Sequence, residues 1–277
     1  MNYEALVTQI ECLPPLLDTA QIVQTLYAEG AQNVDIVRLV RAIESDALLA
    51  ANILRMINSP LYGFSKQITS VAQAVTLFGT QMVFGLVVRY SINSVIIANL
   101  RPYGASNELF NEMCHLQSVL IHEWYSRVHL EYAQFLTPLA LIMESGKLVF
   151  AKEITNQGTI KEFSSGLKTS ANISLYENDT FGTSSYYISG LLFEHWNFNS
   201  LYVDILKSLD YEQPNSLEIA EYIDALDVVR TAVNVKEMLT EASIKDASII
   251  VEEIGLDVEV FVQAAKRVKS RNEKINR

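Results

Sequence analysis

Ala47-Leu-Leu-Ala-Ala-Asn-Ile-Leu-Arg-Met-Ile-Asn-Ser-Pro-Leu-Tyr-Gly63 reads as a helix driven into a hard stop. Ser45-Asp46 offers the N-cap, because a short oxygen-bearing side chain satisfies the first free N–H groups of a helix. Leu48, Leu49, Ile53, Leu54 and Ile57 recur at helical spacing. Pro60 ends the run, since it has no N–H and restricts the residue before it. Asn58 and Ser59 can bond the local backbone, Tyr62 brings an apolar body with a polar tip, and Gly63 tolerates a positive φ. The segment predicts a rigid helix–turn–helix corner built from Asn58, Ser59, Pro60, Tyr62 and Gly63.

Helical periodicity continues on both sides. Ile36, Leu39, Val40 and Ile43 fall at i, i+3, i+4 and i+7 on the preceding segment. Downstream, Thr69-Ser70 caps a run bearing Val71, Ala74, Val75 and Phe78; Gly79 stops it, and Thr80 starts the apolar stretch Met82–Val88. A long helix is expected over 106–128, followed by an apolar stretch over 135–151 that Glu144, Ser145, Gly146 and Lys147 interrupt. Between Thr155 and Ser185 the composition shifts to Gly, Ser, Thr and Asn, which predicts one extended loop. Helical patterns resume over 186–196, 201–209, 216–238 and 246–268. No period-2 alternation lasts long enough for a sheet, so the fold class is all-α, with two lobes expected at 1–100 and 101–277.

With 277 residues, 49% of them hydrophobic, the chain can fill a sizeable core and is not a disordered one. Its net charge is −11, yet Lys266–Arg277 holds six bases and one acid, leaving −16 on the remainder. So acidic a body repels nucleic acid and anionic membrane. The basic end reads as a solvated, fraying helix terminus. Cys12 and Cys114 are distant and outside any CxxC spacing, as expected of reduced, partly buried thiols in a cytoplasmic protein. The N-terminus lacks a signal-peptide pattern. Met82–Ala98 is too interrupted and too short for a spanning helix and is expected in the core.

His115, His122 and His129 recur every seven residues. On one helix that places them on a stripe but about 10.5 Å apart, too far to share an ion. Cys114 and His115 point about 100° apart and do not form a nucleophile–base pair. The chain carries no GxGxxG, GxxxxGK[ST], HExxH or GxSxG signature.

The corner, together with Ile68-Thr-Ser-Val-Ala-Gln-Ala-Val-Thr-Leu-Phe-Gly79 after it, closely resembles the HDOD domain, a bacterial all-helical module related to the HD-domain metal phosphohydrolases. Leu13-Pro14-Pro15 resembles the family's opening and Leu192-Phe-Glu-His-Trp196 its late aromatic helix, so the likeness runs from about Leu13 to Asp227. The resemblance implies where a metal site would lie. HD phosphohydrolases use a histidine, a consecutive His-Asp pair and a later aspartate. Here His115 matches the first ligand, Met143 and Glu144 fall on the pair, Asp224 matches the last ligand, and Ser185 stands at a further position often held by histidine. Lys147 lies one turn beyond the pair, within reach of a phosphate.

A thioether does not replace imidazole for hard cations, and the extra methylene of Glu144 moves its oxygens. No metal, cofactor or catalytic residue is therefore expected, and the implied function is a non-catalytic signal-transduction module acting through contacts with other signalling proteins. The family is sometimes linked to motility regulation. The alternatives are a divergent metal-dependent phosphohydrolase or a nucleotide-binding sensor with a vestigial metal site. The sequence leaves the oligomeric state open.

Overall fold

The computed structural model describes residues 2–28, 30–64, 66–210 and 216–275. These residues form α-helices and short 3₁₀ turns with no β-strand among them; Val233 and Met238 make an isolated antiparallel bridge. The N-terminal part holds α1 (Tyr3–Glu11), α2 (Asp18–Leu26), α3 (Ile36–Glu44), α4 (Ala47–Ile57) and α5 (Val71–Val95). Next come α6 (Asn107–Tyr125), α7 (Leu130–Ile142), α8 (Gly146–Asn156), α9 (Ile160–Thr169) and α10 (Ile173–Phe181). The chain continues with α11 (Ser185–His195), α12 (Ser200–Ser208), α13 (Leu217–Ala232), α14 (Glu241–Glu253) and α15 (Val258–Ile275).

The expected caps act where the sequence places them. Asp46 accepts from the Leu49 N–H, and Ser70 from the Gln73 N–H. Gly79 sits at φ 79° and ψ 165°, breaking α5 into the two helical runs that its neighbours predict. By length and composition α5 alone among the described helices could cross a membrane, yet its second half, Met82 to Arg89, is buried inside the fold. Buried side chains from Leu6 to Val268 form one continuous core, and α5 packs on α7 across residue 100.

Three expectations are corrected. The extended loop over 155–185 is instead the end of α8 followed by α9 and α10. Phe163 and Leu167, four residues apart, bury one face of α9, and Asn172 caps α10 through the Leu175 N–H. Small polar residues lie on the solvent side of these short helices and masked their period. The single helix expected over 246–268 is two, because Gly255 takes φ 74° between α14 and α15. The basic end is also pinned: Arg267 Nε and Arg271 Nη1 lie 2.8 and 3.0 Å from the two oxygens of Glu123 on α6, and Lys269 pairs with Glu241 at 2.6 Å.

Candidate functional site

The corner forms first, from local chemistry. Asn58 Nδ2 donates to the carbonyls of Leu54 and Ile68, both at 2.8 Å, while its Oδ1 accepts from the Ile68 N–H at 2.8 Å. One side chain thus ties the end of α4 to the segment entering α5. Ser59 starts a single 3₁₀ turn over Pro60–Tyr62, closed by Gly63 at φ 73°. Tyr62 meets Phe78 edge-on, with ring centroids 5.1 Å apart, and its hydroxyl is 2.8 Å from His115 Nδ1 on α6. The corner therefore fixes the first of the residues matched to metal ligands.

Burial and the neighbouring Arg89 charge hold His115 down to about 4, so it is neutral at pH 7. In the unfolded chain it titrates near 6.5. The folded value is depressed, so stability is full above about pH 6.5 and falls as the unfolded state takes up the proton. Between pH 6.5 and 4 this histidine is expected to remove about 2–3 kcal/mol, a loss absent from His115→Asn. Urea unfolding of both proteins at stepped pH checks it; parallel curves would refute it.

The other matched residues gather where α7 gives way to α8 and meets α11. A 3₁₀ turn over Met143–Ser145 links α7 to α8. Met143 is fully buried among apolar side chains. Glu144 Oε1 accepts from Gln117 Nε2 and from the Tyr186 hydroxyl, each at 2.8 Å, and Lys147 Nζ lies 2.6 Å from its Oε2. Lys147 Nζ also donates to Ser185 Oγ at 2.9 Å, stands 3.9 Å from Glu177 Oε1, and lies over the Tyr186 ring at 4.4 Å. Glu177 in turn accepts from the Tyr103 hydroxyl at 2.7 Å and the Ser185 N–H at 2.8 Å. The three charged side chains are 2% exposed or less.

Burial pushes Glu144 up, but the Lys147 ammonium and the Gln117 and Tyr186 donors outweigh it and hold the carboxyl below its usual range. For Glu177 burial prevails and the carboxyl is raised. Burial works against the charge on Lys147, and the two carboxylates overcome it, so the ammonium stays protonated.

A metal ion does not fit these residues. The sulfur of Met143 is a soft donor, Glu144 has both oxygens engaged, and the cation between the two glutamates is already supplied by Lys147. His115 bonds the corner rather than this cluster. Asp224, on α13, is half-buried near Glu221 and Asp227; burial and those two charges raise its carboxyl, and it makes no bond to the cluster. Nor do the spaced histidines share a helix, because His129 is the N-cap of α7. Sequence reasoning finds Glu144, Lys147 and Ser185 but misses Gln117, Glu177, Tyr103 and Tyr186, which come from distant segments and carry no motif.

In solved structures the whole chain has counterparts. A virulence factor from Campylobacter jejuni subsp. jejuni is 24% identical at TM-score 0.58, covering 97% of this chain and 96% of that one. A candidate phosphohydrolase from Shewanella amazonensis SB2B is 15% identical at TM-score 0.74, covering 98% and 96%. A candidate signal-transduction protein from Marinobacter aquaeolei VT8 is 21% identical at TM-score 0.70, covering 95% of this chain and 58% of that one. No curated protein matches the chain. The HDOD domain family model matches residues 13–210, from the Leu13-Pro14-Pro15 opening through the corner and the Glu144–Lys147–Glu177 cluster to the end of α12. A match over that much of the chain, on a helical frame that carries the Asn58–Gly63 corner in place, makes this protein a member of the HDOD family.

Proposed function

We propose that this protein is a non-catalytic signal-transduction module that works by contact with other signalling proteins in the cytoplasm. One observation carries the reading: a lysine ammonium is held inside the core between Glu177 and Glu144, the residue matched to half of the metal-binding pair, while His115 and Asp224 make no bond to this cluster. A tethered ammonium balances the carboxylates without polarising a water molecule, which is the task a hydrolytic metal performs. The likeness to a candidate signal-transduction protein supports the same direction. Free thiols at Cys12 and Cys114 agree with a reducing compartment. The lobes at 1–100 and 101–277, which share one core, would present helical faces to a partner; motility control, through the family link, is the first pathway to examine.

Metal analysis after incubation with Mn²⁺ or Fe²⁺ and desalting is the direct test. The expected result is far less than one ion per chain and no phosphate release from nucleotides. One ion per chain, lost in Glu144→Gln together with a measurable hydrolase activity, would establish the phosphohydrolase alternative instead.

A further inference from the structure

Arg89, on α5, is the buried charge that the cluster above does not use. It is 1% exposed and stands in no ion pair among the described residues. Arginine cannot shed its proton to escape burial, and an uncompensated buried ion costs several kcal/mol. What surrounds it offsets only part of that. The guanidinium lies over the Phe110 ring at 5.1 Å, and Nη2 donates to Asn111 Oδ1 at 2.8 Å. Nε and Nη1 are buried and find no acceptor among the described residues.

The arrangement has the chemistry of an oxyanion receptor. Nε and Nη2 form the edge of a guanidinium that grips two oxygens of one carboxylate or phosphate. A neutral amide oxygen from Asn111 takes one half of that edge and leaves the other unmet. Asn111 is only half-buried and is bonded to the half-buried Asn93 at 3.2 Å, so an amide pair, rather than packed hydrocarbon, leads from the guanidinium toward solvent. One helical turn along α6, the His115 ring is tied to the corner, its Nδ1 2.8 Å from the Tyr62 hydroxyl.

We propose that Arg89 is the receptor of a small-anion site between α5 and α6, taking a carboxylate or phosphate group through Nε and Nη2 once the Asn111 amide swings aside. The site is separate from the Glu144–Lys147–Glu177 cluster and holds whether or not the protein acts through a partner. Thermal unfolding of the full chain in sodium phosphate and in sodium succinate, against sodium chloride at equal ionic strength, tests it and separates the two oxyanion sources. Wild-type protein is expected to gain ~3 °C or more, saturably, with at least one of the two. Arg89→Met is expected to lose that response. Asn111→Asp supplies a tethered carboxylate beside the guanidinium, so it is expected to melt higher than wild type in chloride and to be indifferent to added anion; this variant keeps the test decisive if Arg89→Met fails to fold. Absence of a saturable response in wild type, or its persistence in either variant, overturns the proposal.

Discussion

Lys147→Met is expected to cost about 3–5 kcal/mol of folding stability at pH 7, the range for removing one partner of a buried ion pair. The substitution keeps a four-atom apolar stem, with sulfur in place of one methylene, and removes the ammonium. Glu144 would then hold a carboxylate with two neutral donors and no counter-charge, and Glu177 would lose the cation 3.9 Å away. Both would be stranded inside a core where Lys147 is 2% exposed and Glu144 1%. Neutralising the carboxylates as well, in Glu144→Gln/Lys147→Met/Glu177→Gln, is expected to recover most of the loss, because the cost lies in the unpaired charge and not in the volume. Urea unfolding midpoints of the three proteins decide it. A single-variant loss under about 1 kcal/mol would mean that water reaches the cluster and that the ammonium is not its structural cation.

Gly146→Ala is expected to be as severe by a wholly different route. A Cβ built at this position would lie 1.9 Å from the Ser185 carbonyl oxygen and 2.9 Å from the Ser189 nitrogen. Both are backbone atoms of α11, so no side chain can turn aside. The helices are also locked together at this crossing. The Gly146 N–H donates to Ser189 Oγ at 2.7 Å, and that hydroxyl donates onward to the Met143 carbonyl at 2.7 Å. Separating α8 from α11 would break these bonds and pull Lys147 away from Ser185. The expected loss is at least about 3 kcal/mol, beyond ordinary overpacking, and failure to accumulate as folded protein is within expectation. Gly158→Ala serves as the contrast: nothing lies within 4 Å of its Cβ, and only its φ of 71° is strained, so about 1 kcal/mol is expected. Circular dichroism melts of the two variants separate the mechanisms, and equal losses would contradict the close approach of α8 and α11.

The helical frame is legible in the sequence because its signals are local. The Asp46 and Ser70 caps, the Pro60 stop and the Gly79 break each depend on a residue's own backbone preferences, and each stands where it was expected. Local reading fails where composition and packing disagree. The stretch between Thr155 and Ser185 is rich in Ser, Thr, Gly and Asn, yet Phe163, Leu167 and Phe181 are enough to dock two short helices onto the core. The small residues there have their own structural uses: a Cβ on Gly166 would lie 2.2 Å from the Tyr176 hydroxyl.

The candidate site divides along the same line. Met143, Glu144 and Lys147 are neighbours in the chain, and the chemistry of that triplet already argues against a hydrolytic metal. Which charges balance it could not be read. Glu177 lies thirty positions from Lys147 on another helix, and Gln117, Tyr103 and Tyr186 join from further segments. Asp224, matched to a ligand by its place in the sequence, makes no bond to the cluster, and the charges that act on it are Asp227 and Glu221 of its own helix.

By itself the sequence determined most of the helices, the corner that joins α4 to α5, and the Met143-Glu144 pair where the family resemblance implies His-Asp, since each depends on side chains within a few residues of one another. Only the tertiary structure decided that Lys147 is clasped by two glutamates, that Tyr62 of the corner holds His115, and that Arg89 is buried with no carboxylate paired to it among the described residues. Those outcomes depend on how α5, α6, α8, α10 and α11 pack, because the energy of a buried charge is set by neighbours that chain order does not specify.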